Sequence, residues 1–200
     1  MSLLRLTRIV RRSSALRAGN KVGAVVVLVA TLLATPAHAD GANPLTELVD
    51  AAAQRLQIAE PVAAFKWNTH GAIEDPARVR QQLSALSSDA TGKHIDPHYV
   101  SRAFSDQINA TEAIEYRRFA DWKLDASSAP SGSPDLAASR SAIDGLNQTM
   151  LTQIATNWDL LRSPQCAPAL DAARGEVIES RHLDGLYQQA LMTATQSYCA

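Results

Sequence analysis

Residues 55–83 read RLQIAEPVAAFKWNTHGAIEDPARVRQQL, and the reading of this stretch decides the fold. It is the end of one helix, a short turn around Gly71, and the start of a second helix. Apolar and small residues step along one seam at three- and four-residue spacing: Leu48, Ala52, Ala59 and Val62. Arg55 and Lys66 fall on that same seam, about three turns and roughly 16 Å apart along the axis. Pro61 removes a backbone donor, so a kink or break is expected near Ala59. Asp75-Pro76 then starts the next helix, with an N-cap acid followed by proline at the first helical position. It brings Asp75, Arg78 and Gln82 onto one face at i, i+3 and i+7. A single Arg or Lys on an apolar seam commonly snorkels to water. Several polar residues turned toward one helical interior need partners, because leaving them unpaired there costs several kcal/mol.

Working outward, the first helix begins near Pro44 and runs to about Trp67 or His70. The helix opened by Asp75 runs to about Ala90, with Val79, Leu83 and Leu86 inward. Asp96-Pro97 repeats the start signal, and the third helix extends to about Lys123. Its seam is Phe104, Ile108, Thr111, Glu115 and Trp122. Residues 125–134, DASSAPSGSP, read as a flexible loop. A fourth helix is expected from Asp135 to about Leu161, on a seam of Leu136, Arg140, Ile143, Met150, Ile154 and Leu161. Pro164 and Pro168 bracket a loop around Cys166, and a last helix runs from about Ala169 to Tyr198. No segment alternates as a strand does, and no internal repeat is visible. The fold class expected is therefore all-α: one domain, a bundle of about five helices, some of them broken.

Residues 1–39 have the pattern of an export signal. Arg5, Arg8, Arg11, Arg12, Arg17 and Lys21 form a basic region, Val22 to Ala34 is apolar, and Ala37-His38-Ala39 offers small residues for cleavage. The apolar run is short for a membrane span. Of 19 basic and 20 acidic residues, six basic and no acidic ones lie in that segment, so residues 40–200 carry 13 against 20, a net of −7. That balance argues against nucleic acid or an anionic membrane as partner. In an exported chain the two cysteines, Cys166 and Cys199, are expected to pair as a disulfide.

The polar seam residues are Arg55, Lys66, Asp75, Arg78, Gln82, Thr111, Glu115 and Arg140. If the helices bundle, they converge on one pocket. Three arginines and a lysine make it cationic, which suits a small compound with more than one carboxylate. His94-x-Asp96-x-His98 sits at a loop-to-helix junction with no evident third ligand, so no metal site is expected. Asn109 and Asn147 begin glycosylation sequons, but both lie inside expected helices. No glycine-rich phosphate loop, nucleophile elbow or paired Cys and His is present in the sequence, so no cofactor is expected. Chemistry in such a pocket would come from positioning and electrostatics.

Five segments carry a family resemblance: PVAAFKW (61–67), IEDPARVRQQL (73–83), DQINATEAIEYRRFADWK (106–123), SRSAIDGLN (139–147) and SRHLDGLYQQALMTATQSYC (180–199). In these the chain resembles the AroQ-type chorismate mutases, in particular the exported γ subclass with its secreted mycobacterial members. The resemblance implies rearrangement of chorismate to prephenate, on the route to phenylalanine and tyrosine. It implies that Arg55, Arg78 and Arg140 hold the substrate's two carboxylates. Lys66 and Glu115 would contact the ether oxygen, Asp75 the ring hydroxyl, and Thr111 and Gln82 would complete the lining. The catalytic group is then Lys66, Glu115 and Arg140. Two departures stand out. Position 115 is Glu where better-known members have Gln, so it must be protonated to donate. Position 79 is Val where cytosolic bacterial members have a second carboxylate. Arg140 would replace, within the chain, an arginine that a partner chain supplies elsewhere. A homodimer is also implied. Two other readings share the cationic pocket: an isochorismate-pyruvate lyase on the same scaffold, and a non-catalytic exported protein that binds dicarboxylates.

Overall fold

The computed structural model describes residues 41–132 and 134–199. The expected export signal, residues 1–39, lies outside the described residues. Eight helices follow in order: α1 Thr46–Gln57, α2 Ala59–Thr69, α3 Pro76–Gly92, α4 Pro97–Leu124, α5 Leu136–Thr156, α6 Trp158–Leu161, α7 Cys166–Ser180 and α8 Gly185–Ala194. A 3-10 turn, Ala126–Ser128, sits in the loop after α4, capped by the Asp125 carboxylate on the Ser127 amide. No strand occurs among the described residues, and no helix there is long and apolar enough to cross a membrane.

The five expected helices are present, three of them divided. The first breaks at Ile58, where Pro61 has no N–H to return to Gln57. The fourth breaks at Asn157, whose side-chain amide donates to the Gln153 carbonyl at 3.0 Å and ends the run. The expected continuous last helix is also two helices, which corrects the sequence reading. It starts at Cys166 rather than Ala169 and is interrupted between Ser180 and Gly185. There His182 takes a left-handed conformation, and the Asp184 carboxylate accepts the Tyr187 amide to start α8.

Histidine ends three of these helices in the same way. At His70 the Gly71 amide donates to the Lys66 carbonyl and the His70 amide to the Trp67 carbonyl. His94 and His182 repeat that pattern at the ends of α3 and α7. This is the Schellman closure, with histidine in the left-handed position that glycine usually fills.

α1 is the axis of the fold. It packs against α4, α5, α7 and α8. Leu48, Val49, Ala51, Ala52, Ala53 and Leu56 are all buried, so the helix is covered on nearly every side. Its alanines let neighbours approach closely. Around it lie Tyr99, Phe104, Ile114, Met150, Leu151, Ile154, Leu161, Leu191 and Tyr198, each fully buried and each worth about 1.5–3 kcal/mol by area. The Cys166–Cys199 disulfide ties the start of α7 to the chain end. A second, smaller cluster joins α2 to α4: Ala63, Ala64 and Trp122 pack with Trp67 and Phe119, and Trp67 meets both other rings edge-on at 5.2 and 5.6 Å. That clamp fixes the face of α2 that carries Lys66.

Candidate active site

Five helices and one turn enclose a cavity of about 120 Å³. α1 contributes Arg55; α2 contributes Val62 and Lys66; the following turn contributes Ile73. α3 supplies Asp75, Arg78, Val79 and Gln82, α4 supplies Ile108, Thr111, Glu112 and Glu115, and α5 supplies Leu136, Arg140 and Ile143. All eight polar residues singled out from the sequence line this one cavity.

Arg55 is buried in the wall, 4% exposed. Its Nε donates to Asn147 Oδ1 at 2.8 Å and one Nη to Thr111 Oγ1 at 3.0 Å. Both partners are neutral. Burial lowers its pKa to about 10, with the charges of Asp144 and Glu115 among those opposing the drop. Thr111 in turn donates to the Gln107 carbonyl at 2.8 Å, which fixes its hydroxyl. Here a guanidinium has been taken out of water without a carboxylate in hydrogen-bond contact, an arrangement that favours a bound anion.

Lys66 Nζ donates to Glu115 Oε2 and to the Ile73 carbonyl, each at 2.6 Å. Glu115 is 2% exposed. Burial pushes its pKa up and the hydrogen bond from Lys66 pulls it down; Glu112, one turn away, adds to the upward push. We assign the net direction as upward, since the carboxyl is almost wholly desolvated while Lys66 keeps partial access to water.

Arg78 reaches Asp144 with one Nη, at 3.0 and 3.2 Å to the two carboxylate oxygens. Asp75 caps α3 by accepting the Arg78 amide at 3.1 Å. Gln82 leans on the same Asp144 at 3.5 Å. Arg140 departs from the sequence expectation: it is exposed at the cavity mouth rather than set among core residues. The buried face of α5 begins only at Asn147, and the two turns before it cover the cavity with half-buried Leu136 and Ile143. Among the described residues Arg140 has no hydrogen-bond partner.

Three residues escaped the sequence reading. Glu112 lines the cavity, its pKa raised by burial and then by Glu74. Its signal was its place one turn before Glu115. Asn147 and Asp144 hold Arg55 and Arg78, and both lie on the Arg140 face of α5, at i+7 and i+4. In the sequence Asn147 stands out only as the start of a sequon inside an expected helix. No cluster of three or more potential metal-ligating side chains occurs among the described residues.

Cations from four helices thus face apolar walls of Val62, Ile73, Val79, Ile108, Leu136 and Ile143, with one buried acid beside a lysine. The family model for chorismate mutase type II matches residues 46–116, a span that holds seven of the eight candidates. A secreted chorismate mutase of Mycobacterium tuberculosis is 60% identical over 178 residues, 89% of each chain. The chain belongs to the chorismate mutase type II family. A secreted chorismate mutase of Mycolicibacterium smegmatis is 53% identical over 82% of this chain and 90% of its own. Among solved structures, the chorismate mutase of Burkholderia thailandensis superposes with a TM-score of 0.74 at 34% identity, covering 78% of this chain and 99% of its own. The chorismate mutase family model stops at Tyr116, so Arg140, Asp144 and Asn147 on α5 lie beyond it.

Proposed function

We infer that this protein is a chorismate mutase, an isomerase that converts chorismate to prephenate without a cofactor. The observation that carries the reading is the convergence of Arg55, Lys66, Arg78 and Arg140 with Glu115 on one cavity. The reaction breaks the ether C–O bond as a C–C bond forms, with no nucleophile and no external proton. What accelerates it is conformation and charge. Arg55, Arg78 and Arg140 hold the two carboxylates so that the reacting carbons meet. The apolar walls exclude water from the enolpyruvyl chain. Lys66 and protonated Glu115 donate to the ether oxygen, where negative charge grows in the transition state. Asp75, through the oxygen its capping bond leaves free, takes the ring hydroxyl.

Glu115 is the point where binding and chemistry meet. Ionised, it neutralises Lys66 and repels the developing charge. A dianionic substrate offsets the surrounding cations and favours its protonation, beyond the rise burial already causes. The chain acts after export, cleaved near Ala39, as the basic and apolar N-terminal segments and the secreted relatives support; it works as a homodimer, as the family resemblance supports.

The test is loss of chorismate absorbance with the purified chain 40–200, followed by NMR of the products. Prephenate is expected. Salicylate and pyruvate from isochorismate would make it a lyase instead, and binding without turnover would make it a binding protein.

A further inference from the structure

We propose that Asp144 is a positioning residue for Arg78, an internal carboxylate that backs the guanidinium from the side away from the substrate; the proposal rests on the chorismate mutase reading.

Two cavities meet at this pair. The substrate cavity and a second one of about 230 Å³, between α3 and α5, share Arg78 and Gln82 in their walls. Asp144 lines only the second. It therefore reaches Arg78 from outside the substrate cavity and leaves that space open. One Nη of Arg78 is shared between both Asp144 oxygens, and the other makes only a long contact of 3.4 Å with Gln81 Oε1. Donors remain for an incoming carboxylate on the opposite edge of the same planar group, the geometry in which a guanidinium bridges two carboxylates.

The arrangement has a reason in the helix carrying Arg78. The residue stands in the first turn of α3, on a side chain 29% exposed that could otherwise sample several rotamers in water. Fixing a long side chain before the substrate arrives removes an entropic cost from binding. Asp144 serves a second cation as well, since its charge is among those sustaining the protonation of buried Arg55. With Asn147 three residues on, one face of α5 holds two of the three arginines assigned to the carboxylates, while Arg140 on the same face is left to close the mouth.

A double-mutant cycle over Asp144→Ala and Arg78→Ala tests this, read as kcat/KM on chorismate and as affinity for a bicyclic dicarboxylate that mimics the transition state. In the parent background Asp144→Ala should lower both by about tenfold, which is about 1.4 kcal/mol of coupling. In the Arg78→Ala background it should change neither by more than about twofold. Asp144→Asn, which keeps an acceptor but loses the charge, should fall between parent and Asp144→Ala. Asp144 is exposed, so its variants are expected to melt within a few degrees of the parent. Equal losses in both backgrounds, or tighter inhibitor binding by Asp144→Ala, would overturn the proposal while leaving the enzyme reading intact. A parent protein inactive on chorismate would instead remove the reading on which it rests.

Discussion

Arg55→Met should abolish most activity while leaving the fold as stable as before, or more so. Burial lowers the folded pKa of Arg55 to about 10, so at neutral pH the buried charge disfavours the native state by about 3 kcal/mol. The sign follows from linkage. The group is charged in both states below its folded pKa, the cost is fully present there, and it is relieved only as pH rises above about 10. Methionine fills much of the same volume without the charge. It strands Asn147 Oδ1, at about 1–3 kcal/mol, while Thr111 keeps its bond to the Gln107 carbonyl. The net is then between about zero and 2 kcal/mol of added stability, or a Tm rise of up to about 8 °C for a domain of this size. Replacing buried ionic groups by apolar ones elsewhere has had this sign. Over the same change kcat/KM should fall at least about a hundredfold. Circular dichroism melts and chorismate-loss kinetics at pH 7 on the two proteins give both numbers. A Tm fall of more than about 8 °C would show that Arg55 holds the helices together, and near-normal kinetics would remove it from the site.

Glu115→Gln keeps a permanent donor, so the decline of wild-type kcat/KM as pH rises through the raised Glu115 pKa should flatten in the variant; identical profiles would refute the acid role. Arg140→Ala should reduce kcat/KM at least about a hundredfold with an unchanged melt, since the side chain is exposed and packs no core; kinetics near normal would exclude it. Reducing the Cys166–Cys199 bond, which spans a sequence separation of 33, should cost about 3–4 kcal/mol on the chain-entropy model, with activity at low temperature largely kept; a melt indifferent to reductant would refute this.

The helices and the site were legible to different depths. Asp75 and Asp96, each followed by proline, announce their helices because a capping acid acts within three residues. Arg55, Lys66 and Glu115 stood out because a charge on an apolar seam violates the pattern around it. The division at His182 was hidden because a left-handed histidine carries no punctuation like that of glycine or proline, and Asp184-Gly185 was read through. Arg140 looked buried because seam position says which way a residue faces, not whether a neighbouring helix extends far enough to cover it. Asp144 and Asn147 were invisible for a related reason. Their importance comes from which cation lies opposite, and that is decided by the packing of α5 on α1 and α3.

Lys66 does more than meet Glu115. Its Nζ also holds the Ile73 carbonyl, in the turn that leads into α3. The same ammonium thus staples the backbone two residues before Asp75. Any truncation of Lys66 removes the charge proposed for the ether oxygen and at once frees the turn that leads to Asp75 and Arg78. A large kinetic loss in Lys66→Ala would therefore mix two deficits, one of chemistry and one of loop order. Arginine at 66 would keep the charge but lose the compact three-donor head that serves both oxygens. Glu115 variants leave the staple in place, so they read the contribution of the acid alone.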